Sequence, residues 1–320
     1  MNETVTARAV VAHGYGETSL LRVEEVDVPA PGKGQVTIDV RAAGVNPSDL
    51  KQLRGEFGRT AGEVLLRPGA EVSGIVTAVG PVAEGPAGPV HVGDEVIGYR
   101  VSGGFSERIT VNATSVLPKP TTLDWAQAAG LMLTGVTATH LIEATGVKAG
   151  DRVLIHGASG GVGQIAVQLA VLRGAEVIGT AGVSSGDRVR ALGAQAVEYG
   201  PGLADRIRAI WPAGADVALD TVGTDEAIDV SLELVADPAR IATIAAFRYA
   251  AGTAIKLLGG GPGADPGSAI RSAARLQLVQ LAAEGKLDVA VSRSFTLDDT
   301  AQALDLVFSG RGGGKVVVVP

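Results

Sequence analysis

The 320-residue chain contains no cysteine. Disulfide bridges, thiolate nucleophiles and cysteine-ligated zinc are excluded together. Aromatic residues make up only 3% of the chain. Recognition of a ring by stacking therefore has few side chains to draw on, chiefly Phe57, Phe105, Trp125, Phe247 and Tyr249. The histidines are His13, His91, His140 and His156, dispersed and without an H-x-x-x-H spacing. Each reads as a surface or core residue rather than a metal ligand. Positive charge is in deficit as well: 27 Lys and Arg against 34 Asp and Glu leave a net charge of −7. That argues against a dedicated nucleic-acid or anionic-membrane surface. No apolar run approaches the roughly 18–20 residues of a membrane span; Val5 to Ala12, for example, is broken by Arg8. Residues Met1 to Arg8 show no signal pattern, and a soluble cytoplasmic protein is expected.

What is present is apolar and glycine-rich: 46% hydrophobic residues and 45 glycines, enough for a large core over about two domains. One stretch organises the rest. Val153 to Ile155 is a short apolar run, a glycine cluster follows, and an apolar-periodic segment extends from Gln164 to Leu172. This predicts strand, tight turn and helix. The unpaired N–H groups at such a helix start, with the positive end of its dipole, favour phosphate. The spacing Ala158-x-Gly160-x-x-Gly163 is the dinucleotide fingerprint with alanine at its first glycine.

The flanking segments differ in texture. Residues 5–117 read as short strands divided by turn residues, with candidates at Val5–Ala12, Leu21–Val28, Gln35–Gly44, Val72–Val79, Glu95–Tyr99 and Phe105–Val111. Gly80 to Gly93 reads as a surface loop. Beyond Pro118-Lys-Pro120 the chain turns helical, with Asp124 as N-cap and Gln127 at the capping-box position. From residue 152 onward, near-continuous apolar strands at 153–155, 176–180, 217–220 and 240–245 alternate with helices at 161–172, 184–192, 203–210 and 225–236. That alternation implies parallel βαβ units buried on both faces. A further helix is expected over 269–285, then a strand at Val289–Phe295, a helix capped near Thr296, and a last strand at Lys315–Val319 that could return to the first domain. The expected class is α/β, with a β-rich domain over 1–122, a doubly wound domain over 123–263, and a returning segment over 264–320.

Several stretches resemble one family in order: Gly44-Val-Asn-Pro-Ser-Asp-Leu-Lys51, Pro68-Gly-Ala-Glu-Val-Ser-Gly74, Val92-Gly-Asp-Glu-Val96, Gly103-Gly-Phe-Ser-Glu107, residues 152–173 and Gly312-Gly-Gly-Lys-Val-Val317. Together they look like the medium-chain dehydrogenase/reductase superfamily, in its zinc-independent, zeta-crystallin-like quinone oxidoreductase branch. The resemblance implies a GroES-like catalytic domain joined to a Rossmann domain. Zinc-dependent members carry cysteine, histidine and cysteine where this chain has Asn46, Ala70 and Leu133. No metal site is therefore expected.

By the same resemblance, Ser159, Gly160, Gly161 and Val162 would lie under the pyrophosphate. Thr137, Val222, Gly223 and Ala245 to Phe247 would border the rest of the cofactor. The end of the second Rossmann strand, Val177 to Ala181, carries no carboxylate for a ribose 2′-hydroxyl. Thr180, Ser184, Ser185, Arg188 and Tyr199 are candidates to hold a 2′-phosphate, so NADPH is expected over NADH. Arg188 would stand in for the family's lysine, although it could equally be a solvated helix charge.

In the chemistry that the resemblance implies, Asn46 donates a hydrogen bond to an acceptor oxygen or to the cofactor ribose. Lys51 stands where relatives often have tyrosine, and could stabilise a developing oxyanion or donate a proton; it could also be an exposed helix lysine. Arg54 on the same helix is a weaker candidate. The expected activity is reduction of a quinone or an α,β-unsaturated carbonyl. The alternatives are an enoyl-thioester reductase, approached past Arg54, Arg59 and Arg67, and a non-catalytic NADPH-binding or structural protein. The resemblance also implies a homodimer, joined through the last Rossmann strand, which here would be the edge segment Thr253–Leu258.

Overall fold

The computed structural model describes residues 5–58 and 64–320. The chain forms two compact units, Met1–Leu133 with Arg275–Pro320, and Thr134–Ala274. The divisions fall in the first turn of helix Met132–Thr145 and in the middle of helix Ser268–Ala283. Both lie beyond the changes of texture in the sequence. Composition changes at loops, whereas a continuous helix can pass from one packing environment to the next without a break in its pattern.

In the first unit, the 11-residue strand Gln35–Val45 is central to a seven-stranded sheet. It pairs antiparallel with Glu71–Val79, with Arg108–Asn112 and with the C-terminal strand Lys315–Val319. That last strand also runs parallel to Val291–Thr296. Val5–Val11 and Arg22–Val28 form a separate antiparallel pair. Side chains of alternate parity on the central strand, Val36, Ile38 and Val40, face a core with Leu50, Leu53, Val72 and Phe105. The loop expected over 80–93 contains a small hairpin, Glu84–Gly85 against Gly88–Pro89. Asp124 caps its helix as expected: its carboxylate accepts from the Gln127 N–H at 2.7 Å, and Gln127 Oε1 accepts from the Asp124 N–H at 3.0 Å.

The second unit holds a six-stranded sheet whose neighbouring strands all pair in parallel. Its spatial order is Gln195–Glu198, Glu176–Ala181, Arg152–His156, Val217–Asp220, Ile241–Thr243, Lys256–Leu257. This is the doubly wound order in which the chain reverses direction between the first and fourth strands. Ligands of such sheets sit outside the carboxyl ends of the strands at that reversal. Among the described residues, no helix is long and apolar enough to cross a membrane.

Candidate functional site

The turn after Arg152–His156 is built by two glycines. Gly157 takes φ +73°, a left-handed conformation that side chains disfavour, so the positive angle falls one residue before Ala158. Ala158 is fully buried beneath the turn, and alanine at the first fingerprint position costs nothing. A Cβ on Gly163 would lie 2.1 Å from the Gly157 carbonyl oxygen; the helix packs that closely on the turn. Helix Gly161–Leu172 has Gly160 at its N-cap and no side-chain cap. Its first-turn N–H groups are thus left without a side-chain acceptor, in a half-buried turn formed by Ser159, Gly160, Gly161 and Val162. This cradle fits an anionic diphosphate.

At the end of the second strand the structure sorts the candidates. Thr180 is 2% exposed and its Oγ1 accepts from the Gly157 N–H at 3.2 Å. It supports the glycine turn from below, and so leaves the set available to a 2′-phosphate. Ser184 is exposed and Ser185 half-buried in the short helical turn Val183–Ser185. Tyr199 is exposed and its ring lies beside Gly182. Arg188, on helix Gly186–Ala191, has Nη1 buried with no hydrogen-bond partner. Its neighbour Asp187 is paired instead with Arg190. An unpartnered, buried guanidinium nitrogen is a donor that a phosphate satisfies.

The carboxyl ends of the fourth and fifth strands carry the remaining positions. Val222 and Ala245 are exposed, while Gly223 and Phe247 are half-buried. The Phe247 ring packs on Gly261 of the glycine-rich stretch. Thr137 is buried on helix Met132–Thr145 and its Oγ1 accepts from Arg271 Nη1 at 3.2 Å. Two buried residues organise these loops that sequence reasoning missed, Asp220 and Thr243. Asp220 Oδ1 accepts from the N–H groups of Val222 and Gly223 at 3.0 and 2.9 Å.

In the first unit, Asn46 is part of a buried ionic cluster. Its Oδ1 accepts from Lys315 Nζ at 2.6 Å, and its Nδ2 donates to Glu71 Oε1 at 3.0 Å and to the Gly44 carbonyl at 3.2 Å. Lys315 also reaches Glu71 Oε1 at 2.6 Å, and Glu71 Oε2 accepts from the Leu133 N–H at 2.8 Å. With 2% exposure and its amide committed, Asn46 is not placed to donate to a substrate or a ribose; the expectation is corrected. The cluster does not fit a zinc ion either. Neither Ala70 nor Leu133 offers a ligand side chain, and a lysine ammonium already bridges Asn46 and Glu71. Asp49, one turn on, is enclosed, and its Oδ2 accepts from the Asn46 N–H at 2.9 Å. Burial pushes its carboxyl up to about 7.

Lys51 lies half-buried on the same short helix, Pro47–Leu53, whose Leu50 and Leu53 enter the core. Arg54 is engaged elsewhere, paired with Glu17 at 2.7 Å and stacked 4.4 Å over Phe308. Arg67 is tucked against Gly103. Arg59 lies outside the described residues. Of the histidines, His13 and His91 sit beside Glu24 and Asp94, while His140 and His156 are buried. Burial lowers His156 to about 4.

A family model described as the alcohol dehydrogenase GroES-like domain matches residues 32–121, and one described as zinc-binding dehydrogenase matches residues 192–318. The chain is 37% identical over 187 residues to a quinone oxidoreductase of Pongo abelii, a match covering 57% of this chain and 55% of that protein. The chain thus spans about half the length of that curated relative. Among solved structures, a mycobacterial protein in complex with NADPH is 27% identical, with TM-score 0.82 over 98% of this chain and 100% of the other. The CurK enoyl reductase is 28% identical, with TM-score 0.82 over 98% and 99%. The chain belongs to the medium-chain dehydrogenase/reductase superfamily, in its zeta-crystallin-like quinone oxidoreductase branch.

Proposed function

We propose that the chain is a zinc-independent, NADPH-dependent reductase of a quinone or an α,β-unsaturated carbonyl. The observation that carries the cofactor assignment is the buried, unpartnered Arg188 Nη1, at a strand end that lacks the carboxylate of NAD-specific sites. In this reading the turn of Ser159, Gly160, Gly161 and Val162 holds the pyrophosphate. The Gly160 N–H itself donates to the Gly157 carbonyl at 3.0 Å, so Gly160 contributes close backbone approach rather than a donor. Arg188, with Ser184, Ser185 and Tyr199, holds the 2′-phosphate. Thr137, Val222, Gly223, Ala245 and Phe247 border the nicotinamide half. A bound reduced nicotinamide supplies the hydride. Lys51 supplies a positive charge to the oxygen on which negative charge develops, a role that needs no metal.

The likeness to CurK enoyl reductase supports a second reading, reduction of an enoyl thioester. Its TM-score equals that of the NADPH-bound neighbour, so fold likeness does not choose between acceptors. The basic approach that reading calls for loses support at Arg54, which is paired with Glu17. Self-association through the edge strand Lys256–Leu257 is part of the proposal.

The test is NADPH oxidation against an ortho-quinone, a para-quinone, a short enal and an enoyl thioester, each repeated with NADH. Quinone or enal turnover preferring NADPH is expected; turnover of the thioester alone selects the second reading. Arg188→Gln should lower kcat/KM for NADPH about 10–100-fold, with NADH changed less than about twofold, as expected for loss of a charge-assisted phosphate contact. Equal losses with both cofactors would remove Arg188 from the phosphate site.

A further inference from the structure

Asp220 and Thr243 end neighbouring parallel strands and stand opposite one another in register. Both are fully buried. Thr243 Oγ1 donates to Asp220 Oδ2 at 2.5 Å, and the same oxygen accepts from the N–H groups of Ala245 and Ala246 at 3.1 and 2.9 Å. Asp220 Oδ1 accepts from Val222 and Gly223. The proton count permits one arrangement. Thr243 has a single hydroxyl proton and two N–H donors pointing at its oxygen, so that proton must go to the carboxylate. Each Asp220 oxygen then serves a different strand end: Oδ1 the loop after the fourth strand, Oδ2 the loop after the fifth.

We propose that Asp220 and Thr243 form one positioning couple that fixes the loops Val222–Gly223 and Ala245–Ala246 together, to receive the nicotinamide half of the dinucleotide. The proposal rests on the dinucleotide-binding reading above. It adds that two loops 23 residues apart are set by one shared proton rather than independently. Thr221 ties the first of them to the glycine turn as well, donating from Oγ1 to the His156 carbonyl at 2.7 Å. Loops preset in this way lose less freedom when a ligand docks on them.

The two sides of the couple can be broken separately. Thr243→Val keeps the shape but removes the acceptor of Ala245 and Ala246 and the donor to Asp220. Asp220→Asn adds protons where every neighbour is already a donor. Thr243→Ser retains the hydroxyl. Equilibrium binding to the full-length variants would be measured with NADPH and with adenosine 2′,5′-bisphosphate, which lacks the nicotinamide half; NADH and 5′-AMP replace them if the wild type prefers NADH. Thr243→Val and Asp220→Asn should weaken the whole dinucleotide about tenfold, with Thr243→Ser within about twofold of wild type. The adenosine probe should bind all variants within about twofold of wild type. Unchanged dinucleotide affinity in Thr243→Val and Asp220→Asn overturns the couple. A parallel loss of the adenosine probe overturns it too, because that marks general loosening of the sheet. A wild type that binds neither dinucleotide overturns the underlying reading and the couple with it.

Discussion

Burial pushes the Asp49 carboxyl from 3.8 up to about 7, and lowers the His156 imidazole from 6.5 to about 4. The two act on stability with opposite sign. Asp49, raised in the folded state, contributes stability that is fully present below pH 3.8 and is lost as pH rises through about 7. His156, lowered in the folded state, contributes stability that is present above pH 6.5 and is lost as pH falls through about 4. Between about pH 4 and 6.5 the slopes oppose each other at about 1.4 kcal/mol per pH unit each. Comparing a variant with the wild type cancels every other titrating group. Relative to wild type, Asp49→Asn should therefore gain roughly 4 kcal/mol as pH rises from about 4 to 7, and His156→Gln should lose roughly 3 kcal/mol. Urea unfolding across that range reads both; a flat difference in either variant refutes the corresponding shift. The sequence offered both residues but not their settings. The sequence reads His156 as surface or core and says nothing of how deeply Asp49 is enclosed, because enclosure is decided by distant strands. Asn46 failed as a donor for the same reason: its partners are Glu71 and Lys315, and no local pattern joins them.

Among the elements, the glycine turn was the most legible, since its strand, spacing and helix are local. For Glu95–Tyr99 and Lys315–Val319 the apolar pattern likewise marks the observed bounds. Gln195–Glu198, the edge strand, is short and half polar, so its apolar signal was too weak to place it. The pairing of Asp220 with Thr243 was invisible because parallel register, rather than spacing, brings them side by side. Within the turn, the fingerprint glycines do different jobs. A Cβ at Gly163 would meet backbone at 2.1 Å, whereas at Gly160 the nearest atom, also backbone, would be 3.3 Å away. Gly163→Ala should destabilise the protein by about 2–3 kcal/mol, because a carbonyl oxygen and a helix must part. Gly160→Ala should cost under about 1 kcal/mol in stability, because only tenths of an ångström are needed. Thermal unfolding of the two variants checks the order. Equal losses would show that the turn yields as a whole.

Over the whole molecule, the chain's last strand closes a sheet begun by residues near its start. Lys315 is 244 residues from Glu71 and 269 from Asn46, yet all three are buried together. The neighbouring backbone leaves little slack. A Cβ on Gly130 would lie 2.6 Å from Lys315 Cγ, and one on Gly44 would lie 2.5 Å from Glu71 Oε1. A buried pair held so tightly is worth less than its parts suggest, because desolvation of both charges offsets most of their attraction. Removing one partner is different, since it leaves the other charge enclosed and uncompensated. Lys315→Met should therefore cost about 3–5 kcal/mol, and Glu71→Gln a comparable amount. The double variant should cost clearly less than the two singles added, with a coupling of at least about 1 kcal/mol. The strand Lys315–Val319 would remain paired through its backbone to Gln35–Val45 and Val291–Thr296, so the double variant should still unfold in one transition. Chemical denaturation of the four proteins completes the cycle. Simple additivity would mean that Lys315 and Glu71 are each satisfied by their other neighbours, and that the ammonium does not hold the cluster at the site where zinc-dependent relatives bind metal.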